Sequence, residues 1–254
     1  MILPATPSFR LDGRAALVTG ASRGLGLAMA TALAEAGAAV TLAARSADQL
    51  AAVAEAMRAR GWTATALPLD VLDHAAAERA VAAAGPFDVL VNNAGLNRPL
   101  LLPDITEADY DAVFDLNVKA TLFLTRAVAG GMMAAGRGGS IINISSQMGH
   151  VGGPRRTLYC GAKHAVEGMT KALAWEFGPA NIRVNTICPT FIETEMSRPM
   201  LADPAFHDFV TSRIAFGRIG RVEEVMGAAV FLASDASSLV TGSALMVDGG
   251  WTAV

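Results

Sequence analysis

Short apolar runs alternate with longer stretches whose apolar residues recur at helical spacing, almost to the end of the 254-residue chain. The runs at 15–19, 38–43, 63–69, 89–92, 140–145, 183–187 and 244–247 read as strands. The segments 24–36, 47–60, 74–84, 107–135, 157–177 and 222–233 read as helices. Parallel strands need crossovers, and right-handed crossovers place helices on both faces. The alternation therefore predicts an α/β fold: a single-domain, Rossmann-type doubly wound parallel sheet of about seven strands flanked by helices. No repeat, low-complexity tract or linker divides residues 1–254. The longest irregular stretch, 189–220, contains Pro199 and Pro204 and follows a strand's carboxyl end. Open α/β sheets place ligands there, so this stretch is expected to be a substrate loop or lid.

The first strand runs into Thr19-Gly20-Ala21-Ser22-Arg23-Gly24-Leu25-Gly26, and the helix that follows closes at Gly37. Gly20 suits a tight turn, Gly24 a close approach of backbone to phosphate, and Gly26 close helix–strand packing. The amides and positive dipole of the helix start would hold a pyrophosphate.

Composition narrows the class. Hydrophobic residues make up 52% and charged residues 17%, so closely packed helices on a sheet are expected. A net charge of −3 without a basic cluster gives no footprint for nucleic acid. No apolar window is long enough for a membrane span, and a soluble, cytoplasmic protein is expected. Cys160 and Cys188 read as reduced and packed, and the histidines lack metal-ligand spacing, so no metal is expected.

Chemistry enters with Ser145-Ser146 and Tyr159-Cys160-Gly161-Ala162-Lys163. Tyr159 and Lys163, four apart on a helix, project from one face. An ammonium beside a phenol is expected to pull the phenol's pKa down, making it an acid/base near neutral pH. In chain order the residues Gly20-x-x-x-Gly24-x-Gly26, Asp70-Val71, Asn92-Asn93-Ala94-Gly95, Asn117, Ser146, Tyr159-x-x-x-Lys163 and Val247-Asp248-Gly249-Gly250 resemble the short-chain dehydrogenase/reductase family. Within it, the pattern is most similar to the gluconate 5-dehydrogenase type, which acts on sugars and sugar acids.

The resemblance implies a hydride-transferring oxidoreductase that interconverts a secondary alcohol and a ketone. Tyr159 would be its acid/base and Ser146 the hydrogen-bond donor to the substrate oxygen, with Ser145 structural. Lys163 would contact the nicotinamide ribose, and Asn117 would hold a relaying water. Cofactor contacts would come from Gly20, Ser22, Arg23, Gly24, Leu25 and Gly26, from Asp70 and Val71 at the adenine, and from Asn92, Ala94 and Gly95. Tyr159, Lys163, Pro189, Ile192 and Thr194 would meet the nicotinamide side. The family has Pro-Gly where this chain has Pro189-Thr190, so the loop beginning there is expected to follow a different path. The resemblance further implies a homotetramer or dimer.

NAD binders carry an acid at the end of the second strand, but this chain reads Ala43-Ala44-Arg45-Ser46. Arg45 with Arg23 favours NADP(H) through a 2′-phosphate, while NAD(H) remains the alternative. For substrate, Gln147, Arg155 and Arg156 join Ser146 and Tyr159 as candidates, with His150, Glu193, Glu195 and Arg198 nearby. One of the adjacent arginines would face a sugar-acid carboxylate, since neighbouring side chains diverge. The alternative is a reductase of 3-oxoacyl thioesters or other carbonyls, suggested by Phe191, Met196, Met200, Phe206 and Phe209. A nucleotide-binding regulator without catalysis would be missing one of Asn117, Ser146, Tyr159 or Lys163, and all four are present.

Overall fold

Seven strands, β1 (Ala15–Thr19), β2 (Ala39–Ala44), β3 (Ala64–Pro68), β4 (Val89–Asn92), β5 (Gly139–Ile144), β6 (Ile182–Pro189) and β7 (Ala244–Val247), make one sheet. Their order is β3-β2-β1-β4-β5-β6-β7, and every neighbouring pair is parallel. This computed structural model describes Met1 and residues 3–253. The helices are α1 (Gly24–Glu35), α2 (Ala47–Ala59), α3 (His74–Ala84), α4 (Glu107–Phe114), α5 (Ala120–Ala135), α6 (Thr157–Phe177), α7 (Arg198–Leu201), α8 (Pro204–Ser212) and α9 (Glu223–Ala233).

Strand side chains alternate between two helical layers. Ala16 and Val18 pack with Met29 and Leu33 of α1, Leu50 of α2 and Leu232 of α9. Leu17, Leu90 and Ile141 pack on the other face with Val81 of α3, Leu124 of α5 and Leu173 of α6. Because both faces are covered, the strands read as continuous apolar runs. Each fully buried leucine stabilises the fold by roughly 1.5–3 kcal/mol. The order reverses between β1 and β4, and the crevice outside the strand ends at that switch point positions the site.

Two expectations need correction. The helix predicted over 107–135 is interrupted by a π-helical turn, Asp115–Lys119, between α4 and α5. Helical periodicity cannot reveal one extra residue in a turn, and such turns recur at functional sites. The stretch 189–220 contains α7 and α8, with Pro199 and Pro204 in their first turns. There a proline lacks only an amide that has no intrahelical partner anyway, so these prolines start helices rather than break them. Thr190 itself sits without backbone strain. Arg155 and Asn181 are the non-glycine residues with positive φ among the described residues, and the Thr190 amide bonds the Val247 carbonyl at 3.2 Å.

Candidate active site

A cleft of about 550 Å³ runs along the carboxyl ends of the strands. The Thr19 hydroxyl, at the end of β1, accepts bonds from the amides of Asn93 (2.9 Å) and Ala94 (3.1 Å). That ties the glycine turn to the end of β4. Gly20 (φ +63) and Gly24 (φ +56) adopt backbone that side chains resist. At Gly26 a Cβ would collide with the Gly20 carbonyl and stand 2.5 Å from Asn93 Nδ2. α1 begins after an extended Arg23 with no side-chain cap, leaving its first amides open to an anion.

Ser22, Arg23, Gly24 and Leu25 line one side of this trough, and Arg45, Asp70 and Val71 line its far end. Ala94, Gly95, Pro189 and Thr194 continue it towards β6. Arg23 is engaged by Glu195 at 3.4 Å in an exposed pair, worth at most about 1 kcal/mol. Arg45 has no ion-pair partner among the described residues. A pyrophosphate on the turn and a further phosphate beside Arg45 fit these groups.

The catalytic candidates converge on the same cleft: Asn117 from the π turn, Ser146 after β5, and Tyr159 and Lys163 from α6. The Lys163 ammonium donates to the Ile144 carbonyl at 2.9 Å and lies 5.5 Å from the centroid of the Tyr159 ring. Burial pulls Lys163 down to about 8, against the opposing influence of Cys188 and Glu167. The expected lowering of the phenol is not found in the ligand-free chain. Burial raises Tyr159, while Ser146 and Arg156 pull it down by less. The lysine spends a proton on a backbone carbonyl, and desolvation of the half-buried phenol wins. The Ser146 hydroxyl donates to Gln147 Oε1 at 2.7 Å and accepts from the Met148 amide. Asn117 donates to the carbonyls of Leu96 and Val113, both at 2.8 Å.

Buried polar atoms without a partner gather around this cleft. Asn97 Oδ1, Asn117 Oδ1, Ser145 Oγ and Thr190 Oγ1 belong to residues that line it. Arg156 Nη1, three residues before Tyr159, is also unpaired. Each such atom costs about 1–3 kcal/mol, and native proteins carry few. Their concentration here marks a surface shaped for a polar ligand.

Residues 20–252 match the family model described as enoyl-(acyl carrier protein) reductase. The chain is 42% identical over 248 residues to gluconate 5-dehydrogenase from Gluconobacter oxydans, covering 96% of each chain. It belongs to the short-chain dehydrogenase/reductase family. It is also 40% identical to D-erythrulose reductase from Gallus gallus, over 96% of this chain and 98% of that one. Among solved structures, gluconate 5-dehydrogenase from Burkholderia cenocepacia, in complex with NADP and tartrate, superposes with a TM-score of 0.93. That protein is 40% identical, and the match covers 97% of this chain and 98% of that one. Like these relatives, the short-chain dehydrogenase/reductase described above is an oxidoreductase.

Several expected contacts fall elsewhere in this fold. Asn92 faces inward and donates to Thr125 and Asn143, bracing β4 against α5 and β5. Its neighbour Asn93 reaches the cleft instead, as strand alternation would have indicated. Ile192 is buried, and its carbonyl accepts from Ser197. Gly26 packs beneath the trough rather than lining it. Gln147 is buried against Ser146, while Glu193 pairs with Arg198 at 3.6 Å. Arg155 is exposed and Arg156 buried. Phe191 packs tilted against Trp251 and edge-on to Phe206, Phe206 stacks on Phe209, and Met196 is exposed. Gln49, Asn97 and Leu116 are among the cleft residues that sequence reasoning missed.

Proposed function

We propose that this enzyme interconverts a secondary alcohol and a ketone on a sugar acid, using NADP(H). A bound nicotinamide supplies or accepts the hydride. Tyr159 gives its proton to the ketone oxygen in reduction and takes it back in oxidation. Ser146 turns its hydroxyl from Gln147 to that oxygen, and Lys163 turns from the Ile144 carbonyl to the ribose and phenol. Asn117, with Oδ1 free, holds the water that returns a proton to Lys163. Arg45 and Arg23, with no acid at the end of β2, support a 2′-phosphate and hence NADP(H).

The observation that carries the substrate class is Arg156. It is 5% exposed, has no carboxylate within ion-pair distance among the described residues, and leaves Nη1 unbonded. Burial lowers its pKa, though not enough to discharge a guanidinium. A buried, uncompensated cation one helical turn from the acid/base selects an anionic group on the substrate. Met200 on α7 covers it, with sulfur 3.8 Å from Nη2, so the 189–220 segment acts as a lid. The aromatic residues that suggested an acyl thioester are consumed in packing this lid. Exposed Leu122, Met133 and Trp175 on α5 and α6 support assembly into a dimer or tetramer. Two free cysteines suit a reducing cytoplasm.

The test is a nicotinamide-absorbance screen of gluconate, 2-dehydro-3-deoxy-D-gluconate, L-xylulose, D-threitol and a 3-oxoacyl ester with each nucleotide. Highest kcat/KM is expected for an acid with the phosphorylated nucleotide. Preference for the neutral polyols or the ester, or for NADH, would reject the corresponding part of the reading.

A further inference from the structure

Behind the cleft, three side chains of different chemistry meet from three elements. His150 Nε2 lies 3.3 Å from Glu167 Oε1 and 3.6 Å from Cys188 Sγ, and that sulfur lies 3.2 Å from the same carboxylate oxygen. His150 comes from the turn after β5, Glu167 from α6 and Cys188 from β6. Sequence spacing hides them because they are far apart in the chain, His150 and Cys188 being 38 positions apart. The expectation of no metal site therefore meets a three-donor cluster within 4.8 Å.

We infer that His150, Glu167 and Cys188 form a binding site for one divalent cation of borderline softness, of which zinc is the type. A tetrahedral zinc ion holds sulfur at about 2.3 Å and nitrogen or oxygen at about 2.0–2.1 Å, which spaces its ligands roughly 3.3–3.6 Å apart. The separations here match that spacing before any ion is bound. A thiolate and a carboxylate balance the charge of a dication, so the loaded site is neutral and tolerates burial. As the sulfur–metal bond forms, the Cys188 thiol gives its proton to solvent.

A second observation points into the same place. Ser145 Oγ is buried with no partner, and the residue is 3% exposed. A Cβ on Gly149 would stand 2.8 Å from Ser145 Oγ and 3.1 Å from Glu167 Cγ, so the glycine keeps this space clear. Ser145, or a water beside it, completes the fourth position. Thr186 donates to Glu167 Oε2 at 3.1 Å, orienting the carboxylate so that Oε1 faces the other two donors. The His150 side chain, 26% exposed against 6% for Glu167, is where an ion enters.

The test titrates cobalt(II) into the full-length, chelator-treated protein and reads the visible spectrum. One equivalent should give tetrahedral cobalt bands with a thiolate-to-cobalt charge-transfer absorption, and zinc should erase both. Cys188→Ser should remove the charge-transfer absorption, and His150→Ala should weaken binding at least tenfold. Cys160→Ser should leave the spectrum unchanged. His150→Ala alters a partly exposed side chain, and circular dichroism confirms that each variant is folded. Zinc should also raise the unfolding temperature of the parent chain and not of His150→Ala. Absence of a saturable one-to-one spectrum up to about millimolar cobalt, or one that survives both Cys188→Ser and His150→Ala, would overturn the site.

Discussion

Replacing Arg156 by methionine isolates the feature on which the proposed substrate class rests. Methionine retains an unbranched apolar stem, so contact with Met200 persists while the guanidinium disappears. In the parent, Nη1 is buried without a partner, and the proposed reading gives it a substrate anion. A hydrogen bond to a charged group is worth about 1.5–3 kcal/mol, which corresponds to roughly a 10- to 150-fold rise in KM for an acid. For a neutral polyol, which offers no carboxylate, KM should stay within about threefold. The fold itself should hold or gain stability, because an uncompensated buried charge is removed. Initial rates with gluconate and D-threitol, at saturating NADP+ and in parent and variant, give the comparison. Arg155→Ala serves as control, since Arg155 is exposed and should change neither constant. Equal losses on acid and polyol, or no loss on the acid, would refute the assignment of Arg156 to an anion.

Other outcomes follow from the same structure. Lys163→Met should abolish turnover yet raise stability by on the order of 3 kcal/mol at neutral pH, because burial holds the lysine at about 8 rather than 10.5. That gain should be full below about 8 and shrink as pH rises towards 10.5, which denaturant titrations across that window would measure. Gly26→Ala should cost at least about 1–3 kcal/mol and weaken NADPH binding by fluorescence titration, since its Cβ meets backbone rather than a flexible side chain. Arg218 beside it is the chief reason Glu224 is held down at about 2. Its stabilising contribution is present above about 4.5 and lost as pH falls through about 2. Glu224→Gln should therefore flatten the pH dependence of the unfolding temperature across that interval.

The sheet was legible because each strand is buried on both faces and so announces itself as an apolar run; β4 and β7 have the bounds expected of them. The glycine turn was equally plain, its residues being dictated by backbone conformation and close approach. What periodicity hid was local. The π turn places Asn117 at the cleft without changing the apolar pattern of the surrounding helices. α7 and α8 are too short to show a period, and their prolines look like breakers until seen at first-turn positions. The strand-end pair Asn92-Asn93 needed the sheet's register to show which side chain braces the core and which faces ligand. Tyr159 departs from expectation for a different reason. The neighbouring ammonium is visible in the sequence, whereas the desolvation of the phenol and the lysine's bond to Ile144 appear only in three dimensions. The His150, Glu167 and Cys188 cluster is a product of tertiary contact alone.

The most direct measurement compares Tyr159→Phe with the parent in NADPH binding and in single-turnover hydride transfer. NADPH affinity should change by less than about threefold, while the transfer rate should fall by about 10²–10⁴. A variant that binds NADPH and still turns over at the parental rate would show that the proton comes from elsewhere, and the account of this site would be wrong.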